Sequence, residues 1–212
     1  MAQILKTLIL TGCLACAAAS AFAAGTGWYG GINAGHAQAD INEGRINTQL
    51  QSAGFASAVT SKDERDLAYK LFGGYQFNRN FALEGSYFDL GQFKYTSTTT
   101  GPAGTLNGNM KREGVALDAV GILPISDKFS AFGRLGVTYV DARDQFVGSG
   151  GVVVTNPGAN KRSVNYKLGL GLQYDVTQSI GLRGEVERYR VQDSAGNRGD
   201  VDVYSAGMIV KF

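Results

Sequence analysis

Val164-Asn165-Tyr166-Lys167-Leu168-Gly169-Leu170-Gly171-Leu172-Gln173-Tyr174-Asp175 alternates without a break. Val164, Tyr166, Leu168, Leu170, Leu172 and Tyr174 share one face, and the polar residues and glycines take the other. A period of two puts successive side chains on opposite faces and identifies a β-strand. Its apolar face carries aromatics at both ends and leucines between. That order fits a lipid-facing band flanked by interfacial girdles, with a polar lumen behind it. A strand of a soluble sandwich also alternates, but its buried face has no reason to end in tyrosine at both rims.

The pattern recurs along the chain. It predicts strands at about Gly27–Ala39, Asp66–Phe77, Phe81–Gly91, Arg112–Ile125, Phe129–Asp141, Ser163–Val176, Ile180–Val191 and Val201–Phe212. Asn78-Arg79-Asn80, Ser126-Asp127-Lys128 and Thr177-Gln178-Ser179 are tight polar turns. The alternate connections, Asp40–Arg65, Gln92–Lys111, Ala142–Arg162 and Gln192–Asp200, are longer and read as loops. Loops of about twenty residues are uncommon in a compact soluble domain. Short turns at one end and long loops at the other suit an outer-membrane barrel, whose long loops face outside. Closure is required, because an open sheet edge in lipid leaves backbone groups unpaired at several kcal/mol each. The expected fold is all-β: an eight-stranded antiparallel transmembrane β-barrel with short periplasmic turns and long extracellular loops.

The N-terminus sets the compartment. Lys6 gives a positive n-region, Thr7 to Ala19 is apolar or small almost throughout, and Ala21-Phe22-Ala23 is a small-x-small cleavage pattern. Residues 1–23 are therefore expected to be a cleaved secretory signal, and 24–212 the barrel domain. Leu10-Thr11-Gly12-Cys13 resembles a lipoprotein box, but it leaves only Leu8 to Leu10 as an uninterrupted apolar core. Both cysteines, Cys13 and Cys16, fall in the signal, so the mature chain has no thiol, disulfide or cysteine metal site. Charged residues make up 18% with net charge +2, and no long basic run suggests a nucleic-acid partner. After the signal, no apolar stretch approaches the roughly 18 residues of a membrane helix.

The chain ends on a strand, Tyr204-Ser205-Ala206-Gly207-Met208-Ile209-Val210-Lys211-Phe212. Tyr204, Met208, Val210 and Phe212 share one face. This is similar to the C-terminal strand by which the outer-membrane assembly machinery recognises barrel proteins.

Gly27-Trp28-Tyr29-Gly30-Gly31, Gly73-Gly74-Tyr75-Gln76-Phe77-Asn78, Glu84-Gly85-Ser86-Tyr87, Leu135-Gly136, Arg183 to Glu185 and Lys211-Phe212 occur in that order. Together they resemble the OmpA-type (OmpA/OmpX-like) transmembrane domain over nearly all of Gly27–Phe212. The class includes structural anchors, adhesins, small channels and lipid-modifying enzymes. The sequence stops at the last strand, so the peptidoglycan-binding domain of full-length OmpA, and the tether it provides, are not implied.

Alternation places Lys70, Glu84, Asp118, Arg134, Lys167, Gln173, Arg183, Glu185 and Glu187 in the lumen as a mixed-charge network. The resemblance implies a charged constriction that opens a narrow pore by partner exchange. Glu84 and Arg183 match two of its members, while Val120 and Gln173 occupy the positions of its lysine and second glutamate. The expected function is a structural or surface-interaction role through the loops, with a narrow OmpA-like, porin-like channel as the alternative. Glu84 and Arg183 lie at similar depth on opposed strands and are expected to pair.

The single histidine, His36, shares the outward face of Ile32 and Ala34, with no Ser or carboxylate placed beside it by local spacing. General-base chemistry needs hydrogen-bond reach to the nucleophile, so no enzyme and no cofactor are expected. Glu185 and Glu187 read as lumen lining. Phe55 and Phe146 are loop aromatics that fit local packing. Arg188 and Arg190, outward and beyond the apolar band, suit lipopolysaccharide phosphates, which match arginine's planar fork. The expected partners are outer-membrane lipids, lipopolysaccharide, the assembly machinery and a host or environmental ligand at the loops. A monomer is expected.

Overall fold

The computed structural model describes residues 26–39, 43–192 and 198–212. The expected signal peptide lies outside these residues. In chain order the elements are β1 (Gly27–Ala39), α1 (Glu43–Ser52), β2 (Ser57–Asp63), β3 (Arg65–Asn78) and β4 (Phe81–Thr100). Then follow β5 (Gly104–Pro124), β6 (Phe129–Gly150), β7 (Gly158–Asp175), β8 (Ile180–Gln192) and β9 (Arg198–Lys211). Every strand pairs antiparallel with its neighbour, and the ring closes where β1 meets β9. All but β2 belong to that ring, so eight strands form the barrel.

Outside and inside are inverted relative to a soluble protein. The outward residues of β7 are exposed, Leu170 at 72%, while the charged Lys167 behind them is fully buried. The cause is the solvent: lipid covers the apolar outer face, so the interior can hold charged and polar groups alongside apolar ones. Trp28, Tyr75 and Phe77 stack edge to face near the periplasmic turns, with ring centroids 5.1 and 5.3 Å apart. Tyr69, Tyr87, Tyr139, Tyr166 and Tyr204 mark the opposite rim.

The three short turns close on their own polar side chains. The Asn78 carboxamide accepts from the amides of Asn80 and Phe81, Ser126 Oγ from Phe129, and Thr177 Oγ1 from Ser179 and Ile180. Such local bonds pre-form a turn and fix strand register.

Three of the four long connections hold more regular structure than the sequence suggests, and residues 193–197 of the fourth, Gln192–Asp200, lie outside the described residues. β4, β5 and β6 run for 20, 21 and 22 residues, where about 9–11 suffice to cross a bilayer. Most of Gln92–Lys111, and the start and end of Ala142–Arg162, are therefore strand. Asp40–Arg65 holds α1 and β2, neither of which was expected. Glu43 lies in the first turn of α1, and Gly54, at φ +98°, follows its end in the left-handed region that favours glycine. Ser57 to Asp63 pair with Thr100 to Lys94, so β2 extends the sheet along the outer half of β4.

A bulge separates the two halves of β4. Asp89 pairs with Glu113 and Gln92 with Lys111, so β4 carries one residue more than its partner there. Below it Glu84, Ser86 and Phe88 point inward; above it Phe93, Tyr95 and Ser97 do. Gly91 sits at φ +79°, and its amide donates to Asp89 Oδ1 at 2.9 Å. Gln92 N donates to Asp66 Oδ2 at 2.6 Å, tying the bulge to β3. A Cβ on Gly91 would lie 2.7 Å from the Leu67 carbonyl and from Asp66. Gly91→Ala should destabilise the outer sheet by about 1–3 kcal/mol and expose it to limited proteolysis; unchanged protection would refute the strain.

Candidate functional site

The inward face of the middle of the barrel holds four cations, Lys70, Arg134, Lys167 and Arg183, and four carboxylates, Glu84, Asp118, Glu185 and Glu187, all buried. Strand alternation delivers them from β3, β4, β5, β6, β7 and β8. Arg134 is the hub: Nη1 lies 2.7 Å from Glu84 Oε1 and 3.5 Å from Glu187 Oε1, and Nη2 lies 2.8 Å from Glu185 Oε2. Arg183 Nη1 donates to Glu84 Oε2 at 2.9 Å and Nη2 to Gln173 Oε1 at 3.2 Å. Glu84 thus meets two guanidinium groups, one from β6 and one from β8.

Lys167 Nζ is 2.8 Å from Glu187 and 3.0 Å from Asp118, and Lys70 Nζ is 2.8 Å from Glu187 and also bonds Glu185. Tyr29 and Tyr189 donate their hydroxyls to Glu84 and Glu187, each at 3.2 Å, and Asn33 donates to Glu185. Sequence reasoning missed Tyr29, Asn33 and Tyr189. The alternation of β1, with Ile32 and Ala34 outward, was the available signal for Tyr29 and Asn33.

Two apolar layers enclose these charges. On the periplasmic side Tyr29, Phe72, Ala82, Val120, Phe132 and Ile209 cluster. The Arg183 guanidinium lies 4.7 Å from the ring centres of both Phe72 and Phe132, a cation–π sandwich. On the extracellular side Phe88, Leu90, Phe93, Val140, Tyr189, Val191, Val201 and Val203 pack together, with Ile46 of α1 against them. Phe88 and Tyr189 have ring centres 4.8 Å apart. A cavity of about 10 Å³ beside Lys70, Glu187 and Tyr189 has room for about one water. The lumen is packed with side chains, as eight strands allow.

Above this plug Arg112 pairs with Asp144 at 2.6 Å under the outer sheet. Burial, aided by Asp144, pushes the Tyr95 hydroxyl above its ordinary pKa. On the outside, Arg188 bonds both oxygens of Asp202, at 2.6 and 2.7 Å, and Arg190 bonds Asp200 at 2.9 and 3.1 Å. A lipopolysaccharide phosphate would have to displace these carboxylates. Tyr204 and Met208 point outward, Val210 and Phe212 are half-buried, and Phe212 N donates to the Trp28 carbonyl at 2.8 Å. His36 is exposed on the outer wall, opposite Leu67 and Tyr204. Among the described residues no group of three His, Asp or Glu could hold a metal ion.

These features define a class: a closed β-barrel of the bacterial outer membrane, crossing it with every ring strand. The chain belongs to the family described as the OmpA-like transmembrane domain, whose model matches residues 23–211. It is 26% identical to an uncharacterized protein of Coxiella burnetii over 89% of this chain and 86% of that one. Among solved structures it is similar to Neisserial surface protein A, with TM-score 0.54 and 13% identity over 87% of this chain and 97% of that one. The outer membrane protein OprG of Pseudomonas aeruginosa gives TM-score 0.52 and 18% identity over 89% of this chain and 97% of that one.

Proposed function

We propose that this barrel is a structural and surface-interaction protein that presents its extracellular sheet and helix to the surroundings. The observation that carries this is the continuation of β4, β5 and β6 far beyond the length needed to cross the membrane. The outward side chains there are mostly uncharged hydroxyls and amides held across strands: Ser57 to Thr100 at 2.6 Å, Thr96 to Asn107 at 2.7 Å and Thr105 to Ser149 at 2.6 Å. Such a face suits a neutral, hydrogen-bonding ligand. The two apolar layers argue against a conducting lumen, and the outward His36 without a nucleophile argues against hydrolysis. Tyr204, Met208, Val210 and Phe212 would serve the assembly machinery, which reads the last strand before the ring closes.

Two measurements test the proposal. Refolded Ala24–Phe212 should be silent in planar bilayers, and steady openings would restore the channel reading. Cutting the β4–β5 hairpin back to a tight turn just above the bulge should leave insertion intact and reduce adhesion of bacteria displaying the protein. Equal adhesion by both forms would reject the surface role.

A further inference from the structure

Phe81 of β4, Gly121 of β5, Gly133 of β6 and Leu170 of β7 pair in one row across the outer wall. The two central positions carry no side chain, so the row is a hollow walled by Phe81 and Leu170. The row above it, Leu83, Ala119, Leu135 and Leu168, is filled at all four positions. With strands about 4.8 Å apart, the two glycines open a gap of about 10 Å. Leu123 and Ala131 continue the groove towards the periplasmic turns, and its volume is about 570 Å³.

Two cations lie in the turns next to the groove. Asn80, which lines it, follows Arg79 in the β3–β4 turn, and Lys128 lies in the β5–β6 turn beneath Ala131. Both cations are exposed, and neither has a partner among the described residues. The single acid in these two turns, Asp127, does not cancel both.

From this juxtaposition we propose a phospholipid site on the periplasmic half of the wall: one acyl chain lies in the Gly121–Gly133 groove and an anionic headgroup meets Arg79 and Lys128. Lipopolysaccharide belongs to the opposite leaflet and cannot reach these turns. Within lipid there is no hydrophobic gain on docking, so van der Waals contact in the groove holds the chain. The two cations choose the headgroup.

The groove can be filled without damaging the fold. The nearest atom to a Cβ on Gly121 is the Gly133 carbonyl at 4.0 Å, and on Gly133 it is Leu170 Cδ2 at 3.4 Å, an ordinary contact. The test is native mass spectrometry of barrel released from vesicles of equal phosphatidylglycerol and phosphatidylcholine. The parent should carry one phospholipid, enriched in phosphatidylglycerol. Gly121→Leu with Gly133→Leu should lose that lipid while still shifting on heating in a gel. Arg79→Gln with Lys128→Gln should keep a bound lipid but lose the preference, by about fivefold for each cation removed. A parent that carries no more lipid than the leucine variant would overturn the site. A preference unchanged in the glutamine variant would overturn the headgroup assignment.

Discussion

Glu84→Gln should destabilise the barrel by about 3–5 kcal/mol, because it leaves buried cations short of charge. Arg134 and Arg183 both direct a nitrogen at Glu84, at 2.7 and 2.9 Å, and all three side chains are buried. Arg134 keeps Glu185 and Glu187, but Arg183 keeps no carboxylate, only Gln173 and the rings of Tyr29, Phe72 and Phe132. The lumen would also change from four cations with four carboxylates to an excess of one cation. Adding Arg183→Gln restores neutrality, so the double variant should lose less than the sum of the two single changes. The measurement is urea unfolding in lipid vesicles, read by the heat-dependent gel shift and tryptophan fluorescence. Strict additivity would show that the two residues do not interact.

Gly35→Ala should prevent the ring from closing properly. Gly35 pairs with Ser205 where the first and last strands meet, and a Cβ there would lie 2.0 Å from the Tyr204 carbonyl and 2.6 Å from Ser205 Cα. These are backbone atoms, so relief requires moving a strand rather than a side chain. Overpacking usually costs about 1–3 kcal/mol, and a clash with the closing seam belongs at or above the top of that range. Refolded Gly35→Ala should show a much weaker heat-modifiable band and faster digestion by trypsin. A normal band and parental resistance would refute the steric argument.

The eight ring strands were legible because lipid demands alternation. A one-residue slip would move every leucine of Val164–Asp175 into the lumen, so the sequence carries the register openly. The lumen residues follow from the same rule, and the structure brings Glu84, Arg134 and Arg183 together. Their partner choices were not legible, because those depend on depth and on which strands face each other across the ring. The outer half of the molecule was harder to read for a different reason. Thr96 to Thr100 and Thr105 to Asn109 face water on one side, so neither face carries the apolar signature of a membrane strand. Hydroxyl-rich strands in water look like loops by composition. The bulge at Gly91 hid the continuity further, since it exchanges the inward and outward positions midway along β4. The carboxylates that meet Arg188 and Arg190 were missed because Asp200 and Asp202 come from a neighbouring strand.

That bulge also works as a phase shifter along the chain. Below it, the order of lipid-facing and lumen-facing side chains is locked by the ring; above it, the count begins again. A pair of residues inserted between Phe93 and Thr100, with a matching pair in β5, would lengthen the hairpin without turning over any side chain inside the membrane. The exposed portion of β4 and β5 is in this sense an interchangeable head on a fixed stem, free to vary in length and chemistry while the anchoring half stays the same.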